Sequence, residues 1–138
     1  MTAALLINPD IVIEEGKAYF GLTKEISAGI YPLGRAAIEY TFIFRKERKS
    51  SIRLSYNLDI PVSVIGQSGG IFVSPGAGYY TDFTRNGWFA QISIGLMGSA
   101  IGDALRIHPN IKARKTFIRE KNPDIFDVSL GIGISFYY

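Results

Sequence analysis

The sequence predicts an all-β fold, namely a closed antiparallel up-and-down β-barrel of eight strands that forms one domain over residues 1–138. Three observations support this prediction. Apolar residues recur at every second position in several segments, glycines collect on the opposite face of those segments, and short turn signals separate them. The chain is also rich in glycine (15) and in aromatic residues (9 Phe, 8 Tyr and 1 Trp), as β proteins often are.

Five segments carry the two-residue period that is typical of strands with unlike faces. They are AIEYTFIFR (37–45), SIRLSYNLDI (51–60), IFVSPGAGYYTD (71–82), WFAQISIGL (88–96) and FDVSLGIGISFYY (126–138). The first 35 residues are interpreted as three more strands, with pieces near 5–7, 11–15, 18–23 and 26–31. Their division and register stay open at this point.

The connections between these segments are of two kinds. RKERKS (45–50), GQSGG (66–70) and TRNG (84–87) are short reversals, so their flanking strands are predicted to be antiparallel neighbours. Residues 99–124 are interpreted as a long polar and basic connection before the last strand. Pro61 and Pro75 lie in or near strands, and we expect a bulge or an early strand end at each because proline lacks the N–H for a ladder bond.

The small, polar face of the strands is predicted to point inward. It carries five strand glycines, and glycine weakens an exposed strand but makes room in a narrow interior. The charged residues of adjacent strands lie on the same face and are predicted to form ion pairs in the lumen, since paired buried charges are tolerated. The glycines are Gly76, Gly78, Gly95, Gly131 and Gly133, and the charged cluster is Glu39, Arg45, Arg53 and Asp59.

The apolar face is then predicted to contact lipid. In hydrocarbon every backbone group needs an internal partner, and among β structures only closed barrels provide one. The visible strands reach the roughly 9–11 residues that cross a bilayer at a tilt, so the barrel is predicted to be transmembrane. Aromatic residues near strand ends suit an interfacial girdle: Phe44, Tyr79, Trp88, Phe136 and Tyr138. The alternative is a soluble β fold whose glycine-rich face is exposed.

The last strand resembles the C-terminal assembly signal of bacterial outer-membrane barrels, which alternates apolar residues and closes on an aromatic residue. Phe136 and Tyr138 occupy the signal positions here, with tyrosine where Phe or Trp is usual. Over residues 36–138 the size and strand pattern resemble the small eight-stranded barrels of the OmpX, OmpA transmembrane-domain and opacity-protein type. The resemblance implies location in the bacterial outer membrane, periplasmic chain termini and assembly by the outer-membrane insertase.

These periplasmic termini would fix the position of every connection. Counting back from the last strand, residues 99–124 and GQSGG are predicted to be extracellular, and TRNG and RKERKS periplasmic. The N-terminus MTAALLINPD has no basic start, long apolar region or cleavage site, so the signal peptide is expected to be absent from this sequence.

No catalytic site is predicted, and no metal or cofactor is expected. The chain has one histidine and no cysteine. Some small outer-membrane barrels are lipid A acyl hydrolases with a His and a Ser two residues later, but Asn110 stands two residues after His108 in the 99–124 connection. An eight-stranded barrel is filled by its own side chains, so the lumen charges are interpreted as structural ion pairs. The open alternative is a proton or ion path.

The basic segment IKARKTFIREK (111–121) is predicted to contact lipopolysaccharide phosphates, with a solvated loop as the alternative. Its cations are Lys112, Arg114, Lys115, Arg119 and Lys121. Nucleic acid is not expected as a partner, because Phe117 is the only interleaved aromatic residue. The sequence therefore predicts a non-catalytic structural or interaction protein of the cell envelope. A subunit of a larger outer-membrane assembly is one form that such a role takes. The alternatives are a lipid A acyl hydrolase and a soluble lipid-binding barrel.

Overall fold

A computed structural model of the chain describes residues 2–30, 33–46, 49–65, 69–97, 100–101, 105–119 and 124–137. Within these ranges no helix is long and apolar enough to cross a membrane. Ten antiparallel strand segments follow one another: β1 Thr2–Glu14, β2 Lys17–Ile30, β3 Gly34–Ile43, β4 Ser50–Asn57, β5 Ile60–Ile65, β6 Gly69–Thr81, β7 Asn86–Met97, β8 Ala100–Ile101, β9 Leu105–Ile118 and β10 Ile125–Tyr137.

The ten segments form eight barrel strands. β4 and β5 pair with β6 in the same register on either side of Leu58 and Asp59, so they are two parts of one strand. The two residues of β8 extend β7 and form a tight pair with the start of β9. β10 pairs with β9 on one side and with β1 on the other, which closes the sheet and leaves no free edge. The predicted closed, eight-stranded, up-and-down barrel is confirmed.

The first hairpin shows how the sequence sets its turns. Glu15 and Gly16 both have positive φ angles, 53° and 74°, which is the type I′ geometry that matches the twist of the flanking strands. Glycine adopts this conformation without strain. The pairing Glu14↔Lys17 follows directly from this two-residue turn.

Both prolines named from the sequence disturb the barrel where their N–H is missing. The β5–β6 register shifts between Pro61 and Ser63, which is a bulge. At Pro75 strand β6 continues, but its ladder with the neighbouring strand is interrupted between the pairs Asn57↔Gly76 and Ile60↔Val73. The backbone carbonyl of Pro75 still accepts a hydrogen bond from Leu58 N–H at 2.9 Å.

The predicted orientation of the two strand faces is also confirmed. Along β3 the side chains of Glu39, Thr41 and Ile43 are buried, whereas Ile38 and Tyr40 are 49% and 44% exposed. The same alternation holds in β4, β7 and β10. Gly131 makes room in the interior, since a Cβ there would overlap the buried side chain of Asn8. Glycines and polar groups therefore line the lumen, and large apolar side chains cover the outside.

The interpretation of residues 99–124 as one long connection is wrong. Residues 105–118 form β9, which pairs with β7 and with β10. The extra strand reverses the predicted position of every earlier connection. Thr2 and Tyr137 lie opposite each other at one end, which we call the terminal end, together with the strand ends that flank 66–68. The RKERKS and TRNG turns lie at the other end, which we call the distal end.

Candidate functional site

The barrel interior holds most of the charged side chains that could do chemistry. Glu39 of β3 is 1% exposed and accepts hydrogen bonds from two cations of β9. Its Oε1 lies 2.7 Å from Lys112 Nζ, and its Oε2 lies 2.5 Å from Arg114 Nη1. Lys112 and Arg114 both point into the lumen because they are two residues apart on one strand. One carboxylate thus links β3 to β9 across the lumen.

A chain of ion pairs continues from this centre toward the terminal end. Lys112 Nζ also lies 2.5 Å from Glu25 Oε2. Glu25 Oε1 accepts a hydrogen bond from Arg35 at 3.0 Å, and Arg35 Nε lies 3.2 Å from Asp59 Oδ2. Asp59 also accepts a hydrogen bond of 2.6 Å from Ser74 Oγ. Alternating charges therefore connect β2, β3, β6, β9 and the break between β4 and β5.

A second branch runs toward the distal end through Asp127 of β10. Its carboxylate accepts hydrogen bonds of 2.9 Å from Arg114 Nε and from Arg53 Nη2. Arg114 Nη2 also lies 3.6 Å from Asp10 of β1. Each of these side chains is at most 2% exposed. Such charges are tolerable in a low-dielectric interior only because several opposite charges and hydrogen bonds surround each one.

An apolar layer lies beside this network on its distal side. It consists of Val12, Ile43, Tyr80, Phe89 and Ile125, all at most 2% exposed. The guanidinium of Arg53 lies 4.8 Å from the centre of the Tyr80 ring, and that of Arg114 lies 5.6 Å from the Phe89 ring. These contacts are cation–π interactions, which hold the two guanidinium groups against the aromatic rings. The packed layer opposes the passage of ions along the lumen.

A smaller charged cluster closes the distal end. Glu14 at the end of β1 accepts hydrogen bonds of 2.6 Å from Arg45 and 2.5 Å from Arg85. Arg85 also pairs with Asp82 at 2.8 Å. Burial acts to raise the pKa of the Asp82 carboxyl, but hydrogen bonds from Arg85 and from the Thr84 backbone outweigh it and hold the pKa below its usual value. The turn at 82–85 is thereby fastened to β1.

The four lumen residues predicted from the sequence all lie on the inner side of the barrel, but each pairs with a residue outside that set. Glu39 and Arg53 are opposite each other across β3 and β4, yet Glu39 pairs with Lys112 and Arg114, and Arg53 pairs with Asp127. Arg45 pairs with Glu14 and Asp59 with Arg35. The acidic partners in β1 and β2 were not predicted because the pattern of the first 35 residues is less legible. Asp127 was not predicted either, although its strand β10 was recognised from the sequence.

The lipopolysaccharide assignment is wrong for two of its five residues. Lys112 and Arg114 are buried in the lumen, 5% and 1% exposed, so they cannot contact lipid phosphates. Lys115 is outward-facing, with its Nζ 5.3 Å from the Phe117 ring and 3.9 Å from Asp124. Arg119 is exposed just beyond β9 at the distal end. Lys121 lies outside the described residues.

Further exposed cations lie at the same end as Lys115 and Arg119. Lys17 begins β2, and Lys46 and Lys49 flank the turn between β3 and β4. We call Lys17, Lys46, Lys49, Lys115 and Arg119 the basic rim. Next to the basic rim the outer surface carries an aromatic girdle that includes three predicted members, Phe44, Tyr79 and Trp88. Phe44 stacks on Phe20, and Trp88 meets Tyr79 edge to face.

His108 lies within β9, opposite Gly133 of β10, and not in a loop as the sequence analysis assumed; its side chain is outside what the structure describes. The backbone of Phe136 belongs to β10, while Tyr138 is outside the described residues. The described part of the chain contains no group of His, Cys, Asp and Glu residues arranged to hold a metal ion.

Comparison with known proteins places this geometry among membrane barrels. No family model and no curated protein matches the chain. The crystal structure of Neisserial surface protein A (NspA) aligns with a TM-score of 0.68 at 9% identity, covering 99% of this chain and 96% of that one. The N-terminal β-barrel domain of Pseudomonas aeruginosa OprF aligns with a TM-score of 0.59 at 12% identity, over 98% and 97% of the two chains.

The outer membrane enzyme PagL aligns with a TM-score of 0.55 at 14% identity, over the whole of both chains. At such identities the likeness concerns the fold alone and carries no activity from one protein to another. Strand number, closure, antiparallel order and an apolar exterior all agree with it. The chain therefore has the fold of the small eight-stranded outer-membrane proteins, and is a closed transmembrane β-barrel.

Proposed function

We propose that this chain is a non-catalytic outer-membrane barrel of the bacterial cell envelope, with a structural or interaction role. The observation that carries the proposal is the filled interior. Ion pairs join β1, β2, β3, β4, β9 and β10 across the lumen, and an apolar layer packs beside them. A side chain held by two or three opposite charges is not free to accept a substrate. Any interaction with other molecules is therefore expected at the outer surface and the turns.

We infer that the basic rim contacts lipopolysaccharide. In the barrels that this chain resembles, the chain termini are periplasmic. The distal end of this barrel, opposite its termini, would then lie in the outer leaflet of the outer membrane. There the aromatic girdle would sit at the interface, and the rim cations would lie at the depth of the lipid phosphates. Lysine and arginine bind phosphate by charge-assisted hydrogen bonds. The candidates from the sequence that fit this position are Lys115 and Arg119, and Lys121 adjoins them in the chain.

Assembly by the outer-membrane insertase is part of the same proposal. The final strand β10 alternates apolar outer residues such as Phe126 and Leu130 with buried Asp127 and Ser129. That alternation supports its recognition together with the terminal aromatic positions Phe136 and Tyr138. A docked protein partner in an envelope complex would then meet the barrel from the lipid side or at its turns.

The first experiment tests the membrane barrel itself. Expressed behind a signal peptide, the protein should fractionate with the outer membrane, require detergent for extraction and migrate faster on SDS gels before boiling than after. In planar bilayers it should give no stepwise conductance, because the lumen is filled. Extraction in plain buffer would refute the membrane assignment, and well-defined conductance steps would refute the structural reading of the lumen.

The second experiment tests the rim. Barrel in detergent should bind lipopolysaccharide with an affinity that falls as salt rises, because exposed charges are screened. A variant with Lys46→Gln, Lys49→Gln, Lys115→Gln and Arg119→Gln should bind at least tenfold more weakly. Dephosphorylated lipopolysaccharide is the matched control and should bind both proteins equally. Equal binding of phosphorylated lipopolysaccharide by the variant would remove this part of the proposal.

A further inference from the structure

One charged residue interrupts the apolar outer surface far from either end. Lys24 lies on the outward face of β2, where the other outward residues are Ala18, Phe20, Leu22, Ile26 and Ala28. Its cross-strand neighbours are Ile7 on β1 and Tyr40 on β3, which are 49% and 44% exposed. We call the outer surface formed by Leu22, Lys24, Ile26, Ile38 and Tyr40 the Lys24 face.

The ammonium group of Lys24 is too deep to reach either membrane surface. β2 runs from Lys17 to Ile30, so Lys24 is seven residues from one end and six from the other. At about 3.3 Å per residue and a tilt of about 45°, the six residues to the terminal end of β2 correspond to about 14 Å of depth, and the four residues to Phe20 of the aromatic girdle to about 9 Å. A four-carbon stem spans neither distance, so snorkelling to the headgroups is incomplete. An isolated barrel must therefore hold this charge in hydrocarbon.

The barrel offers no anion to Lys24. Among the described residues no ion pair or hydrogen bond involves its side chain, and the outward strand positions described carry no Asp or Glu. Asp124 is exposed, but it precedes β10 at the distal end. A second copy of the chain would accordingly bring a second lysine, and no carboxylate, to the same depth. The missing partner has to come from a different molecule.

Away from the barrel ends, the polar groups on the described outer surface also lie on the side formed by β2, β3 and β4. Next to Lys24, the Tyr40 hydroxyl lies 2.8 Å from Ser50 Oγ, an exposed hydrogen bond on the outside of β3 and β4. On β7 the outward residues are Trp88, Ala90, Ile92, Ile94 and Leu96. On β10 they include Phe126, Leu130 and Ile132, again without charge. At the depth of Lys24 the barrel thus has one side with polar groups and an opposite side, around β7 and β10, that is apolar. The charge of Lys115 on β9 lies closer to the distal end.

We propose that the Lys24 face docks against the membrane-embedded surface of a different protein, which places an Asp or Glu carboxylate opposite Lys24. The inference rests on the transmembrane placement in the proposed function. A charged side chain is costly in lipid, and an opposite charge on a partner offsets that cost. Intramembrane charges in proteins are generally paired in this way. The apolar neighbours Leu22, Ile26 and Ile38 would supply the surrounding contact, and Tyr40 a hydrogen bond.

The first test measures the cost of Lys24 in the barrel alone. In phosphatidylcholine vesicles the Lys24→Leu variant should have a folding equilibrium constant larger by a factor of about 30 to 1,000, the equivalent of about 2–4 kcal/mol. Lys115→Leu in the basic rim, three residues from the distal end of β9, is the matched control and should change it less than tenfold, because charges near the interface are tolerated. An unchanged constant for Lys24→Leu would mean that lysine is already solvated, and would overturn the proposal.

The second test asks whether the charge selects a partner in native outer membranes. A photoreactive residue at Ile26 should give one discrete protein adduct, and the same residue at Ile94 of β7 should not. The yield of the adduct should be retained with Lys24→Arg and should fall at least tenfold with Lys24→Leu. The partner in the adduct should carry an Asp or Glu within a membrane-spanning strand. Adducts equal at both positions, unaffected by Lys24→Leu, or formed with a second copy of the chain would overturn the proposal.

These outcomes are distinct from failure of the proposed function. A chain that extracts in plain buffer fails the outer-membrane assignment before any crosslink is made. A heat-modifiable barrel that crosslinks only to lipid keeps that assignment and fails the partner inference.

Discussion

Arg114 of β9 and Glu39 of β3 meet across the lumen with 2.5 Å between Nη1 and Oε2, although 75 positions separate them in the chain. Arg114 also reaches Asp127 on the adjacent strand β10 at 2.9 Å. One side chain thereby connects opposite walls of the barrel. The interior is held by such long-range charge pairs as well as by apolar packing.

Removal of this connection should destabilise the barrel strongly. Arg114→Met leaves Glu39 and Asp127 buried with one cation fewer, and breaking a buried pair from one side costs about 3–5 kcal/mol. Equilibrium unfolding in urea, in vesicles or detergent, measures the loss. The neighbouring exposed lysine provides the control: Lys115→Met should cost about 0–1 kcal/mol. Equal losses for the two variants would contradict a special role for Arg114.

The distal turn should make stability depend on acidity. The pKa of Asp82 is held below its ordinary value of 3.8, so its ion pair with Arg85 stabilises the fold above that value and is lost as pH falls through the lower, folded value. Asp82→Asn should lower the free energy of unfolding at pH 7 by about 1–3 kcal/mol. Its difference from the unmodified chain should shrink below about pH 4.

Asp124 supplies the comparison for this pH experiment. It is 46% exposed and lies 3.9 Å from Lys115. Asp124→Asn should leave both the stability at pH 7 and its acid dependence nearly unchanged, because exposed pairs contribute little. A difference between Asp82→Asn and the unmodified chain that stays constant from pH 7 to pH 3 would argue against the carboxylate as the titrating group.

A close approach of two strands should make one glycine irreplaceable. A Cβ at Gly78 of β6 would collide with the backbone carbonyl of Leu54 in β4, which cannot move aside as a flexible side chain can. Gly78→Ala should therefore cost about 1–3 kcal/mol. At Gly95 the nearest atoms to an added Cβ are 3.7 Å away, so Gly95→Ala should be tolerated. Similar urea midpoints for both variants would rule out this steric explanation.

The single histidine should prove dispensable for lipid chemistry. His108 lies in β9 with Asn110 two residues later, so the serine expected of a His-x-Ser hydrolase pattern is missing. Cells that produce the His108→Ala variant should have the same lipid A acylation profile by mass spectrometry as cells with the unmodified chain. A profile that depends on His108 would move an acyl-hydrolase role ahead of the structural one.

The sequence predicts well which side chains of a strand point outward, because the alternation of apolar and polar residues within that one strand carries the information. Ile38, Tyr40 and Phe42 alternate with Glu39 and Thr41, and the structure turns the first set outward and the second inward. β9 was harder to recognise. Its inward Lys112 and Arg114 look like a solvated basic loop when read alone, and they become lumen residues only beside acids that lie far away in the chain.

The same reason limits prediction of the ion-pair network. Lys112 is 87 positions from Glu25, and Arg53 is 74 positions from Asp127, so a window of ten or fifteen residues contains neither partner. The alternation in IKAR, with Ile111 and Ala113 opposite Lys112 and Arg114, was the available signal for β9. Reading it as a full strand would also have corrected the assignment of the turns to the two ends.

Closure between β1 and β10 has a consequence for biogenesis. The seam pairs Thr2 with Tyr137, so the outer edge of β1 is covered only when β10, more than 100 residues later in the chain, pairs with it. Until then that edge is an open template for association with other chains. During assembly the edge of β1 must therefore be shielded until β10 pairs with it, and a truncation anywhere before β10 would leave that edge without its partner.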